Sequence, residues 1–249
     1  MPYQFTVSPD FTPEHIAGWH IFNTWLQKQL GEAIHLELYQ SFDAQHEAIL
    51  GDRVDLIYAN PYDASVLVRD KGFRALARPQ RGRDEAIVVV NAANPAQRVE
   101  DLQPGLALAS TDDPGVRMMG MIMLEPADLG PHNIRQKTCD SYVLVAKELI
   151  RGTCDVGLFL DRAFADLSAG VRRELRPLVS SQIHVIHHAL MIGPRMAGHA
   201  AAIQAALLAM AGDAKGQGVL QSLGLTGWEA MESEETEFMI DLMDTLKSA

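Results

Sequence analysis

The chain has 249 residues, 47% hydrophobic, 21% charged and 6% aromatic, and its 21 Lys plus Arg against 32 Asp plus Glu leave a formal net charge of −11. Such an apolar share excludes a disordered chain and suits one large domain or two modest ones. The acidic balance, with no long basic run, excludes a generic nucleic-acid binder, because phosphate-backbone binding needs clustered cations; any anion site must therefore be local.

Short strand-like runs alternate with longer helical ones, the pattern of an α/β protein. Phe5 to Ser8 is the first expected strand. Thr12 is expected to cap a helix with Pro13 at its first position, with Ile16, Trp19, Phe22, Leu26 and Leu30 on one face and Gly31 as the stop. Trp19 and Phe22 are assigned to the core. Ile34, Leu36 and Leu38 alternate with polar residues, as in a half-buried strand. A helix from Asp43 to Leu50, a strand from Val54 to Ala59, and a helix capped by Asn60-Pro61 and ending at Gly72 follow.

Further along, Ala86–Val90 and Leu106–Ala109 are expected strands, and Asp113-Pro114 opens a Met-rich helix that Pro126 ends. Ile134–Thr138 is the next strand. Asp140 or Ser141 caps a helix reaching Arg151, and Val156–Phe159 is a strand. Val185–Ile192 reads as another strand, and the rest, to Ala249, as mostly helix. The run from His46 through Gly51 to Asp55-Leu56 is echoed by Lys147 through Gly152 to Asp155-Val156, about a hundred residues later. Two such units suggest two lobes of similar build.

Cys139 and Cys154 are too few for a disulfide framework, and their spacing leaves a bonded pair or free thiols open. At a helix start, Cys139 has the setting of a thiolate, although a buried, inert thiol is the plainer assignment. The start of the sequence lacks a basic n-region and a long apolar run, so no signal peptide is expected. A complete chain would then be cytoplasmic, and one whose leader had been trimmed periplasmic. The most apolar stretch, Ala197–Ala211, carries His199 and Gln204 and is too short for a membrane span.

Four segments, in order, carry a family resemblance. They are Phe42–Ile49 leading to Val54–Tyr62, Ala86–Val90 followed by Val99–Leu102, Leu106–Gly115, and Gly152–Val156. Together the chain resembles the substrate-binding proteins of phosphonate, phosphite and phosphate ABC transporters over about residues 3 to 225. The resemblance implies a two-lobed, type 2 periplasmic-binding-protein-like α/β clamshell of mixed sheets flanked by helices. Lobe 1 would be residues 1–85 plus 190–249 and lobe 2 the inserted 86–189, with the ligand in the cleft between them. It implies no catalysis and no cofactor. The expected partners are a small anionic or zwitterionic ligand and an ABC permease or sensor protein, without nucleic acid or membrane insertion.

Helix N-termini can hold an oxyanion through unpaired backbone N–H groups. Three starts are expected to face that cleft: Asn60-Pro61-Tyr62, Ser110 to Gly115, and Cys139 to Tyr142. The candidate ligand-binding residues are Asn60, Tyr62, Ser110, Thr111, Asp112, Asp140, Ser141, Tyr142 and His187. Two positions depart from the family pattern. Asp112 is ill suited to a dianion and better suited to an amine or a neutral polar group, and Phe42 stands where the family often has a Tyr. Asp113 is assigned as the cap of the helix opened by Pro114.

On a strand, His187 and His188 would face opposite ways, which argues against a metal site and for one surface histidine and one at the cleft. Titration of His187 at the ligand would make binding depend on pH between about 5 and 8. The Met118, Met119, Met121 and Met123 cluster is assigned to packing. Two alternative functions are an intracellular enzyme on the same fold, with His187 or His188 as base and Cys139 or Asp112 near the substrate, and a cytoplasmic regulatory domain read by a partner protein.

Overall fold

The computed structural model describes residues 2–11, 15–82 and 84–248. The expected cap Thr12-Pro13 lies outside the described residues. Eleven strands and nine α-helices are present among them. In chain order they begin with β1 (Tyr3–Val7), α1 (Ile16–Leu30), β2 (Ile34–Glu37), α2 (Phe42–Leu50), β3 (Leu56–Ala59), β4 (Arg74–Pro79), β5 (Ala86–Asn91), β6 (Ala107–Ser110), α3 (Pro114–Leu124) and β7 (Arg135–Thr138). There follow α4 (Tyr142–Ile150), β8 (Val156–Leu160), α5 (Asp161–Ala165), α6 (Ala169–Arg173), β9 (Leu175–Ser180), β10 (Ala189–Ile192), α7 (Ala200–Ala209), α8 (Ala214–Ser222), β11 (Trp228–Ala230) and α9 (Ser233–Ser248).

The chain divides into two compact units, Met1–Arg83 with Val185–Thr245, and Asp84–His184 with Leu246–Ala249. The first holds a six-stranded sheet in the order β11-β4-β10-β3-β1-β2. In it β1, β2 and β3 run parallel, and β10 runs antiparallel to β3 and β4. All four residues of β3 and of β10 are buried, which requires layers on both faces. Leu56, Tyr58, Leu190 and Ile192 join Phe5, Trp19, Phe22, Ile203, Leu207 and Leu220 on one face, beneath α1, α7 and α8. Ile57, Ala59, Ala189 and Met191 join Ile49, Leu67, Phe73, Met239 and Ile240 on the other. The core assignments of Trp19 (4% exposed) and Phe22 (0%) agree with this packing.

The second unit holds a five-stranded sheet, β7-β6-β8-β5-β9, with β6, β7 and β8 parallel and β5 antiparallel to β8 and β9. Met119 of α3 is buried, and Met118, Met121 and Met123 are half-buried around it.

The echoed segments are structurally alike at matching positions a hundred residues on. Ser41 caps α2 by accepting from Ala44 N–H at 3.2 Å, and Ser141 caps α4 by accepting from Leu144 N–H at 3.4 Å. Asp55 Oδ2 accepts from Gln4 N–H at 2.7 Å and Asp155 Oδ2 from Ala107 N–H at 2.7 Å, each carboxylate satisfying a strand-end donor on the neighbouring parallel strand. The left-handed residue between helix and strand is Asp52 (φ 55°) in one unit and Gly152 (φ 69°) in the other. Gly51, the expected turn glycine, keeps φ −82°.

Two expectations are corrected, and three strands are new. The helix after Asn60 is not one regular α-helix but a 3-10 turn over Pro61–Asp63 and a π-helix over Val66–Asp70. The strand expected over Val185–Ile192 begins only at Ala189, because its partner β3 ends at Ala59, which pairs with Ala189. Strands β4, β9 and β11 were not foreseen; β4 and β9 carry Arg and Pro rather than clean alternation.

Candidate functional site

In the second unit the carboxyl ends of β6 and β7 meet. Cys139 N–H donates to Ser110 O at 2.8 Å, so the turn leaving β6 and the turn leaving β7 lie side by side. Of the expected site residues, Ser110, Thr111, Asp112, Asp140, Ser141 and Tyr142 are all on this edge. Ser110 (2% exposed), Thr111 (7%) and Tyr142 (9%) are buried, whereas Asp112 and Asp140 are exposed. The Tyr142 ring stacks on Phe159 with centroids 5.9 Å apart.

Asp113, outside the expected set, organises the edge. Its Oδ1 accepts from Gly115 N–H at 2.9 Å and Val116 N–H at 3.1 Å, and its Oδ2 accepts from the Tyr142 hydroxyl at 3.1 Å. The capping role assigned from sequence is therefore present. It corrects the expectation that this helix start offers free amides: Gly115 and Val116 are already taken, and Pro114 has no N–H. The hydroxyl of Tyr142 is likewise engaged with a carboxylate.

In the first unit the matching edge is the carboxyl end of β1 and β3. Because Ala189 pairs with Ala59, the start of antiparallel β10 lies there too. Asn60, Tyr62 and His187 are thus on one edge. Asn60 Oδ1 accepts from Tyr62 N–H at 2.8 Å, as its capping assignment requires. His188 Nε2 lies 2.9 Å from Asp10 Oδ2, with the two side chains 1% and 2% exposed. Its ring stacks on Tyr58 at 5.1 Å, and Tyr58 lies 4.8 Å from Trp19. His187 Nε2 lies 3.4 Å from Glu235 Oε1, and His46 Nδ1 lies 2.9 Å from Asp63 Oδ1.

The expectation of one surface histidine is thereby overturned: His187 is 3% exposed and His188 1%, each against a carboxylate. Sequence reasoning missed Asp10, Asp63 and Glu85. The available signal was placement, since Asp10 follows the first strand by a Ser-Pro turn and Asp63 sits in the first turn after Asn60-Pro61.

Glu85, 6% exposed, stands where β5 begins. It accepts from the Ser181 hydroxyl, from Ile183 N–H at 3.1 Å and from His184 N–H at 2.7 Å, and its Oε1 lies 3.4 Å from His184 Nδ1. His184 has φ 64°, an uncommon left-handed backbone for a residue with a side chain.

Cys139 and Cys154 are free and buried. Burial pushes both thiols above their ordinary pKa, which corrects the thiolate assignment for Cys139 and supports the inert one. Both are expected to resist Ellman's reagent at pH 8 in the native protein and to react fully in denaturant; rapid native labelling would contradict this. Because the folded state binds these protons more tightly than the unfolded state, the stability they contribute is whole below about pH 8.5 and declines as pH rises beyond it.

A cavity of about 460 Å³, lined by Pro2, Tyr3, Glu32, Ala33 and Arg195, lies at the opposite, amino ends of β1 and β2. Among the described residues no group of three His, Cys, Asp or Glu side chains could hold a metal ion, and no helix is long and apolar enough to cross a membrane.

Two mixed sheets flanked by helices define an α/β protein of the type 2 periplasmic-binding class, with a solute-binding role. The chain belongs to the family described as ABC transporter, phosphonate, periplasmic substrate-binding protein, whose profile matches residues 5–236. Among solved structures it is similar to PhnD1 from Prochlorococcus marinus in complex with methylphosphonate (13% identity, TM-score 0.83, 99% of this chain and 98% of that one). It is also similar to XAC2383 from Xanthomonas citri bound to ATP (14% identity, TM-score 0.79, 99% and 97%). A third is a binding-protein component of an ABC phosphonate transporter from Pseudomonas aeruginosa (13% identity, TM-score 0.76, 99% and 97%). At these identities the likeness is one of fold. No curated protein sequence matches the chain.

Proposed function

We propose that this protein is the ligand-capturing component of an ABC transport or sensing system, and that it acts by binding without chemistry. The lobe of Met1–Arg83 plus Val185–Thr245 and the lobe of Asp84–His184 close on a small polar ligand, an oxyanion or zwitterion, and present it to a permease or sensor on the periplasmic side. The ligand meets Asn60, Tyr62 and His187 from one lobe and Ser110, Thr111, Asp112, Asp140, Ser141 and Tyr142 from the other. The observation that carries this reading is that these residues lie at the edges where parallel strands reach their carboxyl ends in their respective units, His187 joining from the start of antiparallel β10, and α/β folds place their ligands at such edges. Their chemistry supports it as well: hydroxyls and an amide supply directional hydrogen bonds suited to a small polar solute.

The test is thermal unfolding and Trp fluorescence of the full chain against phosphate, methylphosphonate, methanesulfonate and L-arginine. A ligand at a hundred times its Kd stabilises the folded state by about 2.7 kcal/mol. Trp19 is coupled to the first edge through Tyr58 and His188, so the same ligand is expected to change its emission. Thr111→Val and Ser141→Ala should each weaken binding severalfold. Silence across the whole panel in both measurements would overturn the proposal.

A further inference from the structure

We infer that the cavity at the amino ends of β1 and β2 is a second ligand site, which takes a small zwitterion carrying a carboxylate and an ammonium group. It lies at the strand ends opposite the proposed binding edge of the first unit and does not depend on that reading. Its volume of about 460 Å³ falls within the range of small-molecule pockets. A cation, Arg195, and an anion, Glu32, line it together with Pro2, Tyr3 and Ala33. Tyr3 N–H donates to Ala33 O at 2.9 Å, which joins two of these residues across the start of the ladder.

The guanidinium is held in place from one side. Arg195 Nε donates to Asp55 Oδ1 at 2.6 Å, and Nη2 donates to Asp55 Oδ2 and, at 3.1 Å, to Pro2 O. Asp55 is buried and also accepts from Gln4 N–H at 2.7 Å, so the acid that fixes Arg195 is itself anchored to β1. Arg195 Cζ sits 4.9 Å from the Tyr3 ring centroid, a cation–π contact. The side chain is nevertheless 49% exposed, and Nη1 makes no hydrogen bond among the described residues. A guanidinium has five N–H donors in a fixed fork, enough to serve a second carboxylate through Nη1.

Glu32 is the opposite pole. Its carboxylate is 43% exposed, and its contact among the described residues is His199 Nε2 at 3.7 Å, too long for a hydrogen bond. The same nitrogen lies 3.4 Å from the Tyr3 hydroxyl. Arg195 and Asp55 cancel in charge and Glu32 remains, so the lining disfavours a plain anion and favours a ligand that brings its own positive charge. The ligand's carboxylate meets Nη1 and its ammonium meets Glu32, each in a charge-assisted hydrogen bond. Half-exposed charges contribute modestly, which sets the expected Kd at about 1 mM.

The experiment follows backbone amide NMR signals of the full chain, as wild type, Glu32→Gln and Arg195→Lys, during titration with β-alanine. Propionate and ethylammonium are the single-charge controls. β-Alanine is expected to move the signals of Tyr3, Glu32 and Ala33 and to leave those of Asn60 and Ser110 in place. Each control should bind about tenfold more weakly. Glu32→Gln should weaken β-alanine about fivefold while leaving propionate unchanged. Arg195→Lys lacks the second edge of the fork and should weaken β-alanine and propionate alike. Thermal melts check each fold, and should Arg195→Lys not fold, Glu32→Gln and the two controls decide. The inference is overturned by still signals at Tyr3, Glu32 and Ala33 in about 50 mM β-alanine, which would saturate such a site. Propionate binding as tightly as β-alanine, β-alanine binding undiminished in Glu32→Gln, or shifts confined to Asn60 and Ser110 overturn it equally.

Discussion

Replacing His188 by Ala is expected to destabilise the protein by about 3 kcal/mol, the combined loss of a buried hydrogen-bonding partner and of the ring's packing. The imidazole is 2.9 Å from the Asp10 carboxylate, and both side chains are almost fully enclosed, so water cannot take the place of the missing partner. The variant also forfeits the stack on Tyr58 and leaves a void beside it. Urea denaturation measures the effect. Pairing His188→Ala with Asp10→Asn should recover part of it, because the buried carboxylate that loses the ring is then an amide, and a double-mutant cycle reads the coupling. A loss below about 1 kcal/mol, in the range of exposed pairs, would show that the pair does not contribute as its burial requires.

Gly18→Ala is the second large effect, and its sign is decided by two opposing magnitudes. Within α1, Ala is favoured over Gly by about 1 kcal/mol in intrinsic helix preference. A Cβ at this position, however, would lie 2.1 Å from the carbonyl oxygen and 2.7 Å from the carbonyl carbon of Ser222, at the end of α8. Both are backbone atoms, which no side-chain rotation can move aside. Overpacking of this kind costs roughly 1–3 kcal/mol, and more when the obstacle is rigid, so a net destabilisation of about 2 kcal/mol is expected from denaturant melts. A stabilised variant would mean that α1 and α8 do not approach so closely.

Local rules were legible wherever one residue decides local geometry. Asn60 and Asp113 were identified as caps, and Ser141 as one of two candidates with Asp140, because a short polar side chain ahead of a helix has one dominant use, and all three side chains accept from the first turn. β2 was legible because Ile34 and Leu36 alternate with exposed His35 and Glu37. β4 and β9 were opaque because their pairing is decided by neighbours distant in sequence: β4 lies between β10 and β11, and β9 is held by β5. Five of the six residues of β4 are largely covered by those tertiary contacts despite its Arg and Pro.

For the candidate site, sequence placed the turns and the structure supplied the pairings. His187 and His188 were visible as residues, but Glu235 and Asp10, which hold them, come from the last helix and from the turn after the first strand. Asp113 was visible as a cap, whereas its contact with Tyr142 depends on two parallel strands ending together.

Glu85 gives the second unit a mechanical character that no single strand provides. The unit's main segment begins at Asp84 and ends at His184, and this carboxylate fastens the start of that segment to three donors near its end, at Ser181, Ile183 and His184. Prising the two apart would strand an anion away from water. The two ends of this segment are consequently held as one piece and cannot slide past each other.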